Sequence, residues 1–131
     1  MAFEEDVLDI SLLTVVDLSA QQYHFVTLSA NNTVEVTNNA ADIVVGVLQN
    51  KPHGETASPA VARVRVFGLT RIAADASAGI GYGDFVGTNA SGEGVAKVAD
   101  TDRISGLCTV SGAAGDTGVI VVMPPHTLEA T

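Results

Sequence analysis

The sequence predicts an all-β chain: a single small barrel-like or sandwich domain built from two degenerate half-repeats, with little helix. Three observations support this. The apolar stretches are short and rich in β-branched residues, as strands are. Turn clusters divide them at Asn31-Asn32, Asn38-Asn39, Ser91-Gly92 and Ser111-Gly112. Finally, residues 25–48 align with residues 85–108 at a constant offset of 60. Phe25 then meets Phe85, Val26 meets Val86, Ala30 meets Ala90, Asp42 meets Asp102 and Gly46 meets Gly106. Average residue usage would give about one or two such identities by chance.

In chain order, the candidate strands are LLTVVDL (12–18), HFVTLS (24–29), TVEVT (33–37), IVVGVLQ (43–49), VARVRVFG (61–68), LTRIAA (69–74), DFVGT (84–88), GVAKVA (94–99), ISGLCTV (104–110) and GVIVVM (118–123). Alternation puts Val34 with Val36, and Val64 with Val66, on one face each. Residues 4–16 also fit an amphipathic helix, but Thr14-Val15-Val16 favours strand. Asp17–Gln22 and Asp75–Ala78 could each form one helical turn, the first capped by Asp17 or Ser19. The segment DLSA (17–20) matches DASA (75–78), which extends the repeat backward. Forward, the linker NKPHGETASPA makes the first copy longer, a cheap change at the surface. The half-repeats span about 12–68 and 69–123, with Phe67-Gly68-Leu69 running directly from one to the other. Gly46 and Gly106 are expected at equivalent strand positions, and Phe25 and Phe85 in equivalent core sites. Residues 1–11 read as an N-terminal arm, expected to be mobile over residues 1–6. Residues 124–131 read as a tail, because Pro124-Pro125 cannot donate to a ladder.

The 131 residues are 47% hydrophobic with mean hydropathy +0.32, which excludes a disordered chain. No run of about 18 apolar residues offers a membrane span. The acidic start MAFEEDVLDI is unlike a secretory signal, so synthesis in the cytoplasm is expected. Fifteen acids against six bases leave a net charge of −9, which would repel nucleic acid. Arg63 and Arg65 alternate along one segment near Arg71, and this reads as a solvated strand face rather than an anion site. Cys108 is the single cysteine and excludes an intramolecular disulfide. Between apolar neighbours it reads as a small buried hydrophobe rather than a nucleophile.

Gly79, Gly81 and Gly83 could suggest a phosphate-cradling loop. The first copy does the same job with QQYH and no glycine, however, and the second copy leads into a strand-like segment. A tight turn is therefore expected. His24, His53 and His126 have no neighbour at metal-ligand spacing. Asp100-Thr101-Asp102 resembles a fragment of a calcium loop without its remaining ligands. Ser77 and Ser105 lack a nucleophile-elbow context, and Glu4-Glu5 lies at a terminus where a dry catalytic site is hard to build. No catalytic residue, cofactor or metal site is expected, and the chain does not read as an enzyme.

The segment GVLQNKPHGETASPAVARVRVFG (46–68) resembles the head decoration, or capsid cement, proteins of tailed bacteriophages and prophages. The matching positions are Gly46, Leu48, Gln49, Asn50, Pro52, Gly54 and Glu55, followed by Val61 to Gly68. GDFVGTNASGEGVAKV and ISGLCTVSGAAGDTGVIVVM are similar to later parts of the same pattern, with Ser105-Gly106 a small departure. The resemblance implies a structural virion protein on the outer surface of the expanded capsid. It would bridge neighbouring capsomers, with the major capsid protein and itself as partners, commonly as a homotrimer at threefold or quasi-threefold positions. Phe3, Glu4 and Glu5 of the arm are the expected capsid contacts. A glycan-binding module of a virion or cell surface is the alternative. It is disfavoured by an aromatic content of 5% with no tryptophan. A small hydrolase would need a convergent nucleophile and base, which the sequence does not show.

Overall fold

The computed structural model describes residues 5–99 and 102–127. These residues form nine strands and no helix: β1 Glu5–Thr14, β2 Phe25–Ala30, β3 Thr33–Val36, β4 Val44–Leu48, β5 Ala60–Ala73, β6 Phe85–Thr88, β7 Gly94–Ala96, β8 Arg103–Val110 and β9 Thr117–Thr127. They join in the order β1-β3-β2-β4-β5-β9-β8-β6-β7, and β1 also pairs with β5. That last pairing closes β1 to β5 into a five-stranded barrel.

The duplication is visible in topology and register. The order β1-β5-β4-β2-β3 of the barrel recurs as β5-β9-β8-β6-β7, with the far end of β5 standing in for β1. Phe25 pairs with Val47 and Val26 with Gly46; 60 residues later, Phe85 pairs with Leu107 and Val86 with Gly106. Left-handed backbone recurs at the same offset. Tyr23 (φ 67°) matches Gly83 (φ 83°), and Asn32 (φ 52°) matches Gly92 (φ 78°). A parallel contact ends each half: Leu13 with Thr33 in the first, the isolated bridge Ala74 with Gly94 in the second.

The two strands expected over 61–68 and 69–74 are one, β5. Its first part pairs with β1 and β4, and its last with β9. Gly68 (φ 118°) lies where it passes between these roles, a conformation that favours glycine. Residues 5–11, grouped with the arm in the sequence reading, form the first part of β1 and pair with β5. Nor does Pro124-Pro125 end the last strand, since β9 continues to pair Ile104 with His126 and Arg103 with Thr127. Between the pairs Gly106–Val122 and Ile104–His126, β9 advances four residues while β8 advances two. The prolines lie in that irregularity, where no ladder donor is required of them.

There are two apolar cores. The barrel interior holds Leu18, Val26, Val34, Leu48, Ala62 and Val64, with Val36 and Val66 against them as the alternation predicted. The second core holds Ile72, Ala74, Ile80, Val86, Cys108, Ile120 and Val122 of the second half, and it is completed by Phe25, Val44 and Val47 from the outside of the barrel. Gly46 sits where β2, β4 and β5 pass closely, and a Cβ there would overlap the Arg65 carbonyl and lie 2.8 Å from Val64 Cγ1. Gly46→Ala is therefore expected to destabilise the fold by about 1–3 kcal/mol through forced backbone movement. Urea unfolding would measure this, and an unchanged midpoint would show that β4 can shift freely.

Candidate functional site: two uncovered apolar faces

One outward-facing row crosses the barrel: Phe25 on β2, Val47 on β4, Arg65 on β5 and Asp9 on β1. The first three are buried even though they face out, because the second half lies over them. Phe25 N–H donates to Gly92 O at 2.8 Å, and Ala73 N–H to Tyr23 O at 2.9 Å. The Thr88 hydroxyl donates to Asn89 O at 2.8 Å and so accepts from Thr37, its buried partner across the seam. Arg65 was expected on a solvated face. It is instead 1% exposed and holds Asp9 from Nε (2.8 Å) and Nη2 (3.2 Å), while Nη1 donates to Leu69 O. Arg63 Nε reaches the same carboxylate at 3.1 Å, and Arg71 lies 6.0 Å from the Tyr23 ring centre. The carboxylate that Arg63 and Arg65 share is thus Asp9 of their own chain.

The matching row of the second half is Phe85, Leu107, Val121 and Leu69. All four are apolar; among the described residues Phe85 is exposed, while Leu107, Val121 and Leu69 are half-buried. Phe85 is 44% exposed, against 0% for Phe25. This corrects the expectation of equivalent buried sites: the ladder position is equivalent, the covering layer is not. Tyr82 and Val98 are also strongly exposed.

A second uncovered apolar surface lies at the barrel mouth. Leu8, Val45, Val66, Phe67, Pro124 and Pro125 line one groove, and Val45 continues it to Leu28 and Ile43. Leu28 and Ile43 are 58% and 60% exposed. Among the described residues of these linings Thr27 is the only polar one, and none is charged. A polar cleft runs along the seam, lined by Asp17, Gln21, His24, Glu35, Asn38 and Ser91 among others.

The glycine loop is a closed turn. Gly79 N–H donates to Asp75 O, Ile80 to Gly112 O, Gly83 to Cys108 O and Asp84 to Gly81 O. Gly81 N–H donates to Asp84 Oδ2 and Tyr82 N–H to Ser111 Oγ. No amide from 79 to 84 is left open for a phosphate. Cys108 is buried, and its thiol is pushed above its ordinary pKa by burial and, secondarily, by the Asp84 charge. That is the reverse of nucleophile activation. His24 and His126 each bond a nearby carbonyl, and His53 lies between Asp17 (3.5 Å) and Glu55 (3.8 Å), all well exposed. Among the described residues no group of three His, Cys, Asp or Glu could hold a metal. Asp100 and Thr101 lie outside them, while Asp102 accepts from Ala99 N–H. Ser105 is buried and Ser77 donates to Asp75. Phe3 and Glu4 also lie outside the described residues, and Glu5 begins β1 opposite Leu69.

The residues that carried the resemblance build framework. Leu48 lies in the barrel core, and the buried Gln49 side chain donates to Thr70 Oγ1 and Val47 O. The Asn50 side chain extends the ladder of β5, accepting from Arg63 N–H and donating to Val61 O. Pro52 O accepts from Leu18 N–H, and a Cβ on Gly54 would overlap the Thr14 carbonyl.

Asp75 ties the turn before β6 to β7. It accepts from Asn89 Nδ2 (2.9 Å), Ser77 Oγ (2.9 Å) and Ala78 N–H (3.1 Å). The Asn89 bond first, then Ser77, holds its pKa below the ordinary 3.8. The folded value lies below the unfolded one, so this contribution is complete above the unfolded value and is lost as pH falls through the folded one. Asp75→Ala is expected to destabilise at neutral pH by more than it does in strong acid. Equal losses in urea titrations at the two pH values would refute the charged-state role.

The chain matches no protein-family model, and no curated protein is significantly similar to it. Among solved structures it is similar to the head fiber gp8.5 N base of bacteriophage phi29, with a TM-score of 0.68 and 12% sequence identity, over 88% of this chain and 94% of that one.

Proposed function

We propose that the chain is a structural virion protein that binds the outer surface of an expanded phage capsid and bridges neighbouring capsomers. The observation that carries this reading is the likeness of fold to the base of a phage head fiber over nearly the whole of both chains. Two further features support it. Leu48, Gln49 and Asn50, central to the sequence resemblance, do specific framework work here. A net charge of −9 also suits an outer position better than one facing packaged DNA. The partners in this reading are the major capsid protein and further copies of the chain, as homotrimers at threefold or quasi-threefold positions. Cosedimentation with expanded and unexpanded heads tests it, beside a glycan array. The expected result is pelleting with expanded heads and better survival of decorated heads on heating. A chain that stays in the supernatant while binding a glycan would replace this reading with a glycan-binding one.

A further inference from the structure

The chain presents one apolar row and one apolar receiving surface, and its own folding shows how such surfaces pack. In the first half, the row from Phe25 to Arg65 is buried against the second half. The seam contacts on the second half are made by Gly92, Thr88 and Ala73. Their counterparts 60 residues earlier are Asn32, Leu28 and Leu13. Asn32 keeps the left-handed backbone of Gly92. Leu28 and Leu13 are 58% and 41% exposed, whereas Thr88, the counterpart of Leu28, is buried. The second half's own row, Phe85–Leu107–Val121–Leu69, is the counterpart of the buried one, with Phe85 exposed and the other three half-buried.

We propose that the chain associates head to tail with copies of itself, the Phe85–Leu107–Val121–Leu69 row of one copy seated on Leu13 and Leu28 of the next. The contact follows the apolar part of the packing of the first half on the second; Leu13 N–H already donates to Asn32 O at 2.8 Å, so the Ala73 bond is not repeated. None of these six side chains is charged, which limits the repulsion between two copies of charge −9 to neighbours of the contact such as Asp84 and Glu5. The two surfaces differ, so every contact leaves one row and one receiving surface free, and growth stops only when a ring closes. This identifies the contact within the self-association suggested above, and it does not depend on capsid binding.

Sedimentation velocity of the wild type, Phe85→Glu, Leu28→Glu and an equimolar mixture of the two variants tests it. Both positions are exposed, so a single cooperative thermal transition in dilute protein should show that the variants fold. The wild type is expected to form a closed oligomer, and each variant alone a monomer. The mixture should stop at a dimer, because the intact row of Leu28→Glu meets the intact receiving surface of Phe85→Glu only once. A wild type that is monomeric at every concentration overturns the proposal. So do variants that still assemble, or a mixture that stays monomeric. Variants that keep the wild-type oligomer but no longer pellet with heads would assign the surfaces to the capsid subunit instead. Heads that never bind a correctly assembled oligomer would count against the proposed function alone.

Discussion

Asp9→Ala is expected to destabilise the fold by about 3–5 kcal/mol, the usual consequence of leaving a buried charge without its partner. Arg65 is 1% exposed, and two of its nitrogens bond the Asp9 carboxylate, which is itself only 15% exposed. Removal of the carboxylate strands the guanidinium beneath the second half and releases Arg63 as well. The effect should reach beyond one ion pair, because Asp9 lies on β1 and β1 closes the barrel. Urea unfolding gives the magnitude. A double variant, Asp9→Leu with Arg65→Met, should recover much of the loss, since an apolar pair of similar volume often replaces a buried ion pair at little cost. A single-variant loss below about 1 kcal/mol would mean that water reaches Arg65 by local opening.

Phe25→Ala is expected to cost about 3–5 kcal/mol, and Phe85→Ala well under half of that, although the two residues hold the same ladder position. Phe25 is fully buried between the barrel and the second half, so its truncation leaves a cavity in the core that joins them. Phe85 loses only part of its contact with solvent on folding. Equal losses in dilute protein would mean that Phe85 is covered there too. A Phe85→Ala loss that grows with protein concentration would reveal assembly, because an interface stabilises the folded chain by mass action.

The local layer of this protein was legible in its sequence. Short β-branched runs divided by Asn, Ser and Gly turns identified nearly every strand, because backbone preference and side-chain alternation act over neighbouring residues. The offset of 60 anticipated that Gly46 and Gly106 hold equivalent strand positions, and the structure places them opposite Val26 and Val86. QQYH standing in for a glycine-rich segment identified a turn, and the structure shows Tyr23 adopting the backbone of Gly83. What the sequence hid depends on residues far away along the chain. Arg65 looked like a surface arginine because its carboxylate comes from position 9 and its cover from the second half. Pro124-Pro125 looked like a stop because the irregularity that excuses their missing N–H groups exists only once β8 lies alongside. Phe25 and Phe85 look alike in any window. Only the tertiary packing of one half on the other buries the first and leaves the second uncovered, because a tandem of two always has an unmatched face at each end.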